Sequence, residues 1–353
     1  MGLPHAAIVF PAKLPTVKRP HAFYALLLAA ACRTAGVPAT SPAPMTVPEM
    51  TPRAMALYRG AFVIDMHDDM PSKVLDEAYD ADIRNAPGFG PHQGHTDLPR
   101  LVESGVTATF MSAWVDAPYA HIPGASFLRA QQYLSVIHSF AERHPDRLLF
   151  ATTAADVRRL GMLVDLSHVS DSTFFDAVKV STAPVIASHS SARALSDVPR
   201  NLTDEQLRAV AKTGGVVNVN FYSRFIDPVY RARIEEVERT ILAERNVARA
   251  RGEDSASMRT RLRAMRESLA SRIPPTPFHV LIEHIEHVAR VAGVDHVGIG
   301  SDFNGVAALP DGLEDVTRLP RIAQALLDRG WPEGDVQKIL GGNMLRVMEQ
   351  VLR

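Results

Sequence analysis

Six short runs rich in apolar and β-branched residues recur from residue 61 onward, most of them separated by longer stretches with helical patterning. They are AFVIDMHDD (61–69), GVTATFMSAW (105–114), GMLVDLSHVS (161–170), APVIASHSS (183–191), GGVVNVNFY (214–222) and DHVGIGSDF (295–303). Strands apolar along most of their length are covered on both faces, and strands alternating with helices pair in parallel, so the pattern predicts an α/β fold built from βα units. Several runs close on polar residues able to do chemistry: His67 and Asp69, His168, His189, Asn220 and Asp302. In a (β/α)8 barrel the active site gathers at the C-terminal ends of the strands, which is where these residues fall.

Composition narrows the function. The 38 lysines and arginines nearly balance 39 aspartates and glutamates, so no basic surface argues for nucleic acid, and a small-molecule partner is expected. The single cysteine, Cys32, lies in the N-terminal leader, so any metal in the folded domain must be held by His, Asp and Glu. The leader carries Lys13, Lys18 and Arg19 ahead of the apolar run AFYALLLAAAC, which is too short to span a bilayer and reads as an export signal. Small residues before Cys32 fit either ordinary cleavage or a lipoprotein signal with a lipidated cysteine. The expected division is an export signal over 1–32, a flexible Pro/Ala/Thr-rich linker over 33–57 and a catalytic domain over 58–353, periplasmic or anchored to a membrane through Cys32.

Between the fifth and sixth runs, apolar residues at helical spacing on either side of GEDSAS predict a helical hairpin over 229–272, read as an amphipathic pair packed on the barrel. His284 and His287, on the helix that follows, have ligand-like spacing but are read as surface residues.

His67 and Asp69 stand two apart at a strand end, so their side chains share a face and can hold one cation together. His168 and His189 add nitrogen donors from two later strands. Asp302, among the glycines of GIGSDFNG, is placed to act as a general base or acid. Arg200, in PRN, precedes a helix whose start, Thr203 followed by Gln206, is a capping box.

The stretches GMLVDLSHVSDSTF, PVIASHSSARAL, PRNLTDEQLRAVAKTGGVVNVNFY, HVGIGSDFNGV, LPDGLEDVTRLP and GGNMLRVMEQVL resemble the membrane dipeptidase (renal dipeptidase) family over nearly everything from residue 60 to the C-terminus. The resemblance implies a distorted (β/α)8 barrel holding two Zn²⁺ ions, which hydrolyses dipeptides by a metal-held hydroxide and tolerates a D-residue at the C-terminal position. It implies that His67 and Asp69 bind one zinc and His168 and His189 the other. It further implies that Arg200 grips the substrate carboxylate and that Asp302 handles the proton.

Two family features are absent from the sequence: a glutamate that bridges both zincs in an EGG-like motif, and a substrate-contacting histidine in an LTH-like motif. ATTAADVRRL (151–160) resembles the helix preceding the first motif yet runs straight into GMLVDLSH, so two βα units are expected to be missing. Asp165, Asp68 and Glu103 are the candidate substitutes for the bridge, and Asn304 stands where the family usually has Asp. One or two zincs are therefore expected. The alternatives are a mononuclear zinc amidohydrolase and a non-catalytic exported protein that binds metal or peptide. An open barrel would expose strand edges, which a homodimer could cover.

Overall fold

The computed structural model describes residues 6–9, 46–90, 92–145, 148–150 and 163–351. In chain order the elements are β1 (Ala6–Val9), α1 (Pro52–Gly60), β2 (Ile64–Asp68), α2 (Met70–Glu77), α3 (Leu98–Ser104), β3 (Ala108–Met111), α4 (Ala125–Arg143) and β4 (Leu149–Phe150). There follow β5 (Val164–Asp165), α5 (Asp171–Val180), β6 (Val185–Ala187), α6 (Asp204–Lys212), β7 (Val216–Val219), α7 (Ser223–Ile226), α8 (Pro228–Ala250) and α9 (Ser255–Ala270). The chain ends with α10 (Phe278–Ala292), β8 (Val297–Ile299), α11 (Pro320–Asp328), α12 (Glu333–Gln337) and α13 (Asn343–Val351).

Each of the six expected runs contains one of these strands. Side-chain caps set where many helices begin. Thr51 caps α1 ahead of Pro52, Asp97 caps α3 ahead of Pro99, and Asp227 caps α8 ahead of Pro228, each accepting from a backbone N–H that the first turn leaves free. The capping box at Thr203 and Gln206 forms both of its bonds. The helical hairpin is α8 and α9, which pack against each other through Ala248, Met258 and Leu262.

β5, β6, β7 and β8 pair in parallel in that order, and β2 pairs in parallel with β3. A single parallel bridge, Asp68 to Phe303, joins the two sets, backed by Asp69 N–H to Phe303 O at 2.8 Å and Asp302 N–H to His67 O at 3.1 Å. The six parallel strands thus run in the cyclic order β3, β2, β8, β7, β6, β5 that a barrel requires. Among the described residues the ring does not close. β1 and then β4 continue antiparallel beyond β3, and among the described residues no strand pairs with the outer edge of β5. The gap falls between β3 and β5 in chain order; the 151–160 stretch, where the missing units were expected, lies outside the described residues.

Two expectations are corrected. The flexible linker does not extend to residue 57, because α1 begins at Pro52 and buries Ala54, Leu57 and Tyr58. Proline there reads as linker by composition but occupies the helix N-terminus, where its missing N–H costs nothing. His284 and His287 are not surface residues: both are buried on α10, which packs against α6, α7, α11, β7 and β8. His284 Nδ1 accepts from Ala192 N–H at 3.1 Å and its Nε2 faces Ile226 O at 3.0 Å, while His287 Nε2 lies 2.7 Å from Asp204 Oδ1. Their imidazoles tie α10 to the start of α6, the end of α7 and the segment at Ala192. Among the described residues no helix is long and apolar enough to cross a membrane; Cys32 and most of the export segment fall outside them, while Ala6–Val9 is β1.

Candidate metal centre

The strand ends after β2, β5, β6 and β8 bring five side chains together. His67 Nε2 lies 3.2 Å from Asp69 Oδ2 and 3.9 Å from Asp302 Oδ1. The His67 and His189 rings stack with centroids 3.7 Å apart, and His168 Nε2 stands 2.9 Å from His189 Nε2. One donor atom each from His67, His189 and Asp302 falls within 4.8 Å of the others, a spacing that one divalent cation can span. His67, Asp69, His189 and Asp302 are buried, while His168 stands at the exposed rim.

Backbone geometry at these ends is specialised. His168, Asp302 and Asn304 adopt left-handed conformations with φ of 67°, 65° and 64°. Such conformations cost about 1 kcal/mol or more for a non-glycine residue and concentrate at functional sites. Close approach also fixes Gly305: a Cβ there would lie 2.1 Å from Asp69 Oδ2 and 2.7 Å from Asp302 Oδ1.

Aspartates just inside the strand ends brace the ring. Asp65 accepts from Ser301 N–H at 2.8 Å, from the Ser301 hydroxyl and from His67 N–H at 3.3 Å, locking β2 to the end of β8. Asp165 does the same between β5 and β6, accepting from Ser167 N–H and Ser188 N–H at 2.9 Å each and from Ser188 Oγ–H at 2.5 Å. Asn220, at the end of β7, donates to Asp302 Oδ2 at 2.7 Å and aims that carboxylate.

The charge balance calls for a cation. Burial alone disfavours protonation of His67, but the carboxylates of Asp69, Asp302 and Asp165 outweigh it and lift its pKa to about 9. Burial pushes the Asp302 carboxyl up against the opposing pull of His67, whereas at Asp69 the His67 charge and a hydrogen bond from Ser112 overcome burial and hold the carboxyl below its usual range. Although the residue stands at the rim, the partial burial of its ring, with Arg200 and His67 adding to it, depresses His168 to about 4, leaving a neutral imidazole suited to ligation. A proton on His67 stands where a metal ion would neutralise the same two carboxylates.

Arg200 enters beside this cluster. Its Nη1 donates to Ser190 Oγ at 2.8 Å, and its buried Nε and Nη2 have no hydrogen-bond partner among the described residues. A guanidinium with an unfilled edge in a buried setting is a receptor for a planar anion.

Of the three candidate substitutes for a bridging carboxylate, Asp165 and Glu103 are engaged elsewhere, and Asp68 is held at Oδ1 while its buried Oδ2 has no hydrogen-bond partner among the described residues. Asp165 is held by Ser167 and Ser188, Asp68 Oδ1 accepts from Met70 N–H at 2.8 Å and from Asn304 Nδ2 at 3.1 Å, and Glu103 is an exposed α3 residue paired with Arg84. Asn304 also clamps the preceding loop, since its N–H donates to His95 Nδ1 at 2.9 Å and its Oδ1 accepts from His95 N–H at 2.8 Å. Ser112, Ser188, Ser190 and Gly305 were not singled out from sequence. The serines flanking His189 in ASHSS were the available signal, but serine alone at a strand end does not distinguish a brace from a turn.

A sequence model of the membrane dipeptidase family, peptidase family M19, matches residues 51–159 and 157–353. The chain belongs to this family. The two matched pieces meet at the gap between β3 and β5. Among curated proteins, the chain is 35% identical over 195 residues to an uncharacterised protein of the pqqA 5′ region of Klebsiella pneumoniae, a match covering 55% of this chain and 57% of that one. The chain thus spans little more than half the length of that relative. Solved structures share the fold. They include the probable dipeptidase PvdM of Pseudomonas aeruginosa, with TM-score 0.65 and 18% identity over 86% of this chain and 99% of that one. A second is a metallopeptidase of Rhodobacter sphaeroides liganded with a phosphinate mimic of the dipeptide L-Ala-D-Ala, with TM-score 0.56 and 20% identity over 82% and 99% of the two chains. Membership of this dipeptidase family implies a metal cofactor, and the His67, His189 and Asp302 donors supply a chemically suitable set.

Proposed function

We propose that the chain hydrolyses dipeptides in a zinc-dependent reaction at the ends of β2, β5, β6 and β8. The observation that carries this reading is the convergence of His67, His189 and Asp302 donor atoms within 4.8 Å, with His168 and Asp69 beside them. His67 and Asp69 would hold one zinc and His168 and His189 the other, and Asp302, whose oxygen lies within reach of the same centre and is kept in place by Asn220, would carry the proton between water and the departing amine. When bound, Zn²⁺ supplies Lewis-acid polarisation of the scissile carbonyl and acidifies the attacking water. Arg200 offers its unpartnered Nε/Nη2 edge to the free carboxylate of the C-terminal residue, which restricts the site to short peptides.

The fold is best read as a family barrel lacking two βα units, with the cyclic strand order and the two-piece family match as support. A mononuclear centre is the second reading, favoured because Asp165 is held by Ser167 and Ser188, Glu103 is exposed and paired with Arg84, and Asp68 Oδ1 is taken by Met70 N–H and Asn304. Export through the N-terminal segment, lipidation of Cys32 and dimerisation across the open edge complete the proposal. Reconstituting dialysed protein with Zn²⁺ and following hydrolysis of L-Ala-D-Ala tests the reading. Turnover that a chelator abolishes supports it, and zinc binding without turnover refutes catalysis.

A further inference from the structure

The side chain of Ser188 sits between a ligand histidine and a carboxylate. Its Oγ lies 2.5 Å from Asp165 Oδ2 and 2.8 Å from His189 Nδ1. Asp165 is already an acceptor for two backbone amides, Ser167 N–H and Ser188 N–H, both at Oδ1. A carboxylate in this role accepts and does not donate, so the Ser188 hydroxyl proton points to Asp165. The Ser188 oxygen then has only lone pairs left for His189, and the hydrogen bond between them requires the proton to be on Nδ1. That leaves the lone pair on Nε2, the atom that faces His168 Nε2 at 2.9 Å.

We propose that Asp165 and Ser188 are positioning residues that fix the tautomer of His189, presenting its Nε2 lone pair to the metal through a serine-relayed version of the carboxylate–histidine pairing that supports metal ligands. The inference rests on the reading of His189 as a metal ligand given above. Direct pairing of a ligand imidazole with a carboxylate sets both its orientation and its basicity. Here the hydroxyl transmits the same demand across one extra bond. Asp165 closes β5 and Ser188 directly follows its parallel neighbour β6, so the relay uses the β5–β6 register to aim the ring.

Two substitutions separate tautomer control from simple bracing. In Asp165→Asn the backbone amides of Ser167 and Ser188 still need an acceptor, so the new amide oxygen takes the Oδ1 place and its NH2 faces Ser188 Oγ. The serine proton is then turned toward His189 Nδ1, which must become the acceptor, and the ring carries its proton on Nε2 where the metal should bind. Ser188→Ala merely removes the bias. The expected order of Zn²⁺ affinity, measured by competition with a chromophoric chelator, is wild type and Ser188→Thr above Ser188→Ala above Asp165→Asn. Loss of an outer-shell partner lowers affinity about 10–100-fold, which sets the scale for Ser188→Ala, and Asp165→Asn should exceed it.

Nitrogen NMR of the histidine rings in zinc-free protein provides a readout independent of metal. Nδ1–H at His189 in wild type and Nε2–H in Asp165→Asn support the relay. The same tautomer in both proteins, or zinc affinities within two-fold of each other, overturns it. If wild type binds no zinc, the metal-site reading itself fails, while the NMR comparison still decides the tautomer claim.

Discussion

His168 Nε2 and His189 Nε2 stand 2.9 Å apart although 21 residues separate them, because β5 and β6 are adjacent parallel strands that end at the same level. Two imidazole nitrogens this close either share a proton or share a cation. The account expects the cation. His189→Ala, which removes a buried donor, should lower Zn²⁺ affinity by more than the ~10–100-fold typical of an outer-shell change. His168→Ala, at the exposed rim, should lower it less. Isothermal titration of each variant with Zn²⁺ measures both.

Gly305 packs its backbone against the carboxylates of Asp69 and Asp302. A Cβ there would stand 2.1 Å from Asp69 Oδ2 and must displace it or Asp302. Gly305→Ala should therefore reduce zinc affinity and dipeptide turnover together, by roughly ten-fold or more, while circular dichroism retains the fold. A variant with unaltered zinc affinity would show that Asp69 and Asp302 do not need their present positions.

Arg200 presents one buried guanidinium edge, Nε and Nη2, without a partner among the described residues. Arg200→Lys keeps a charge but loses the planar fork, so kcat/KM for a dipeptide should fall by about 2–4 kcal/mol of transition-state binding, roughly thirty- to a thousand-fold. The loss should be far smaller on a dipeptide amide, which lacks the carboxylate. Steady-state kinetics on the matched pair separates anchoring from general destabilisation.

The buried His284 makes stability depend on pH. Burial depresses its pKa to about 4 in the folded state, below the ordinary value of 6.5. A group with a lowered histidine pKa is protonated first in the unfolded chain, so its contribution is fully present above pH 6.5 and is lost as pH falls toward 4. Between pH 7.5 and pH 5 the loss is about 2 kcal/mol from this residue. Urea unfolding at the two pH values should show a smaller difference for His284→Gln than for wild type.

Much of this site was legible in the sequence. Parallel strands betray themselves by continuous apolar runs, and His67, Asp69, His168, His189 and Asp302 sit where those runs stop. What could not be read is set by contacts between distant segments. The His284 ring serves Ala192 N–H and Ile226 O, 92 and 58 residues away, and no helical periodicity encodes that. The same holds for the bridge that joins Asp68 to Phe303 and for the braces at Asp65 and Asp165. At α1, composition argued for linker, and only the Thr51 cap ahead of Pro52 marks the helix start.

The most direct measurement is hydrolysis of L-Ala-D-Ala by metal-stripped protein before and after addition of Zn²⁺, with elemental analysis of the reconstituted sample. The expected result is bound zinc and turnover that appears only with it, both lost together in His189→Ala. Protein that takes up no zinc, or that holds zinc through these histidines and leaves the dipeptide intact, would contradict it.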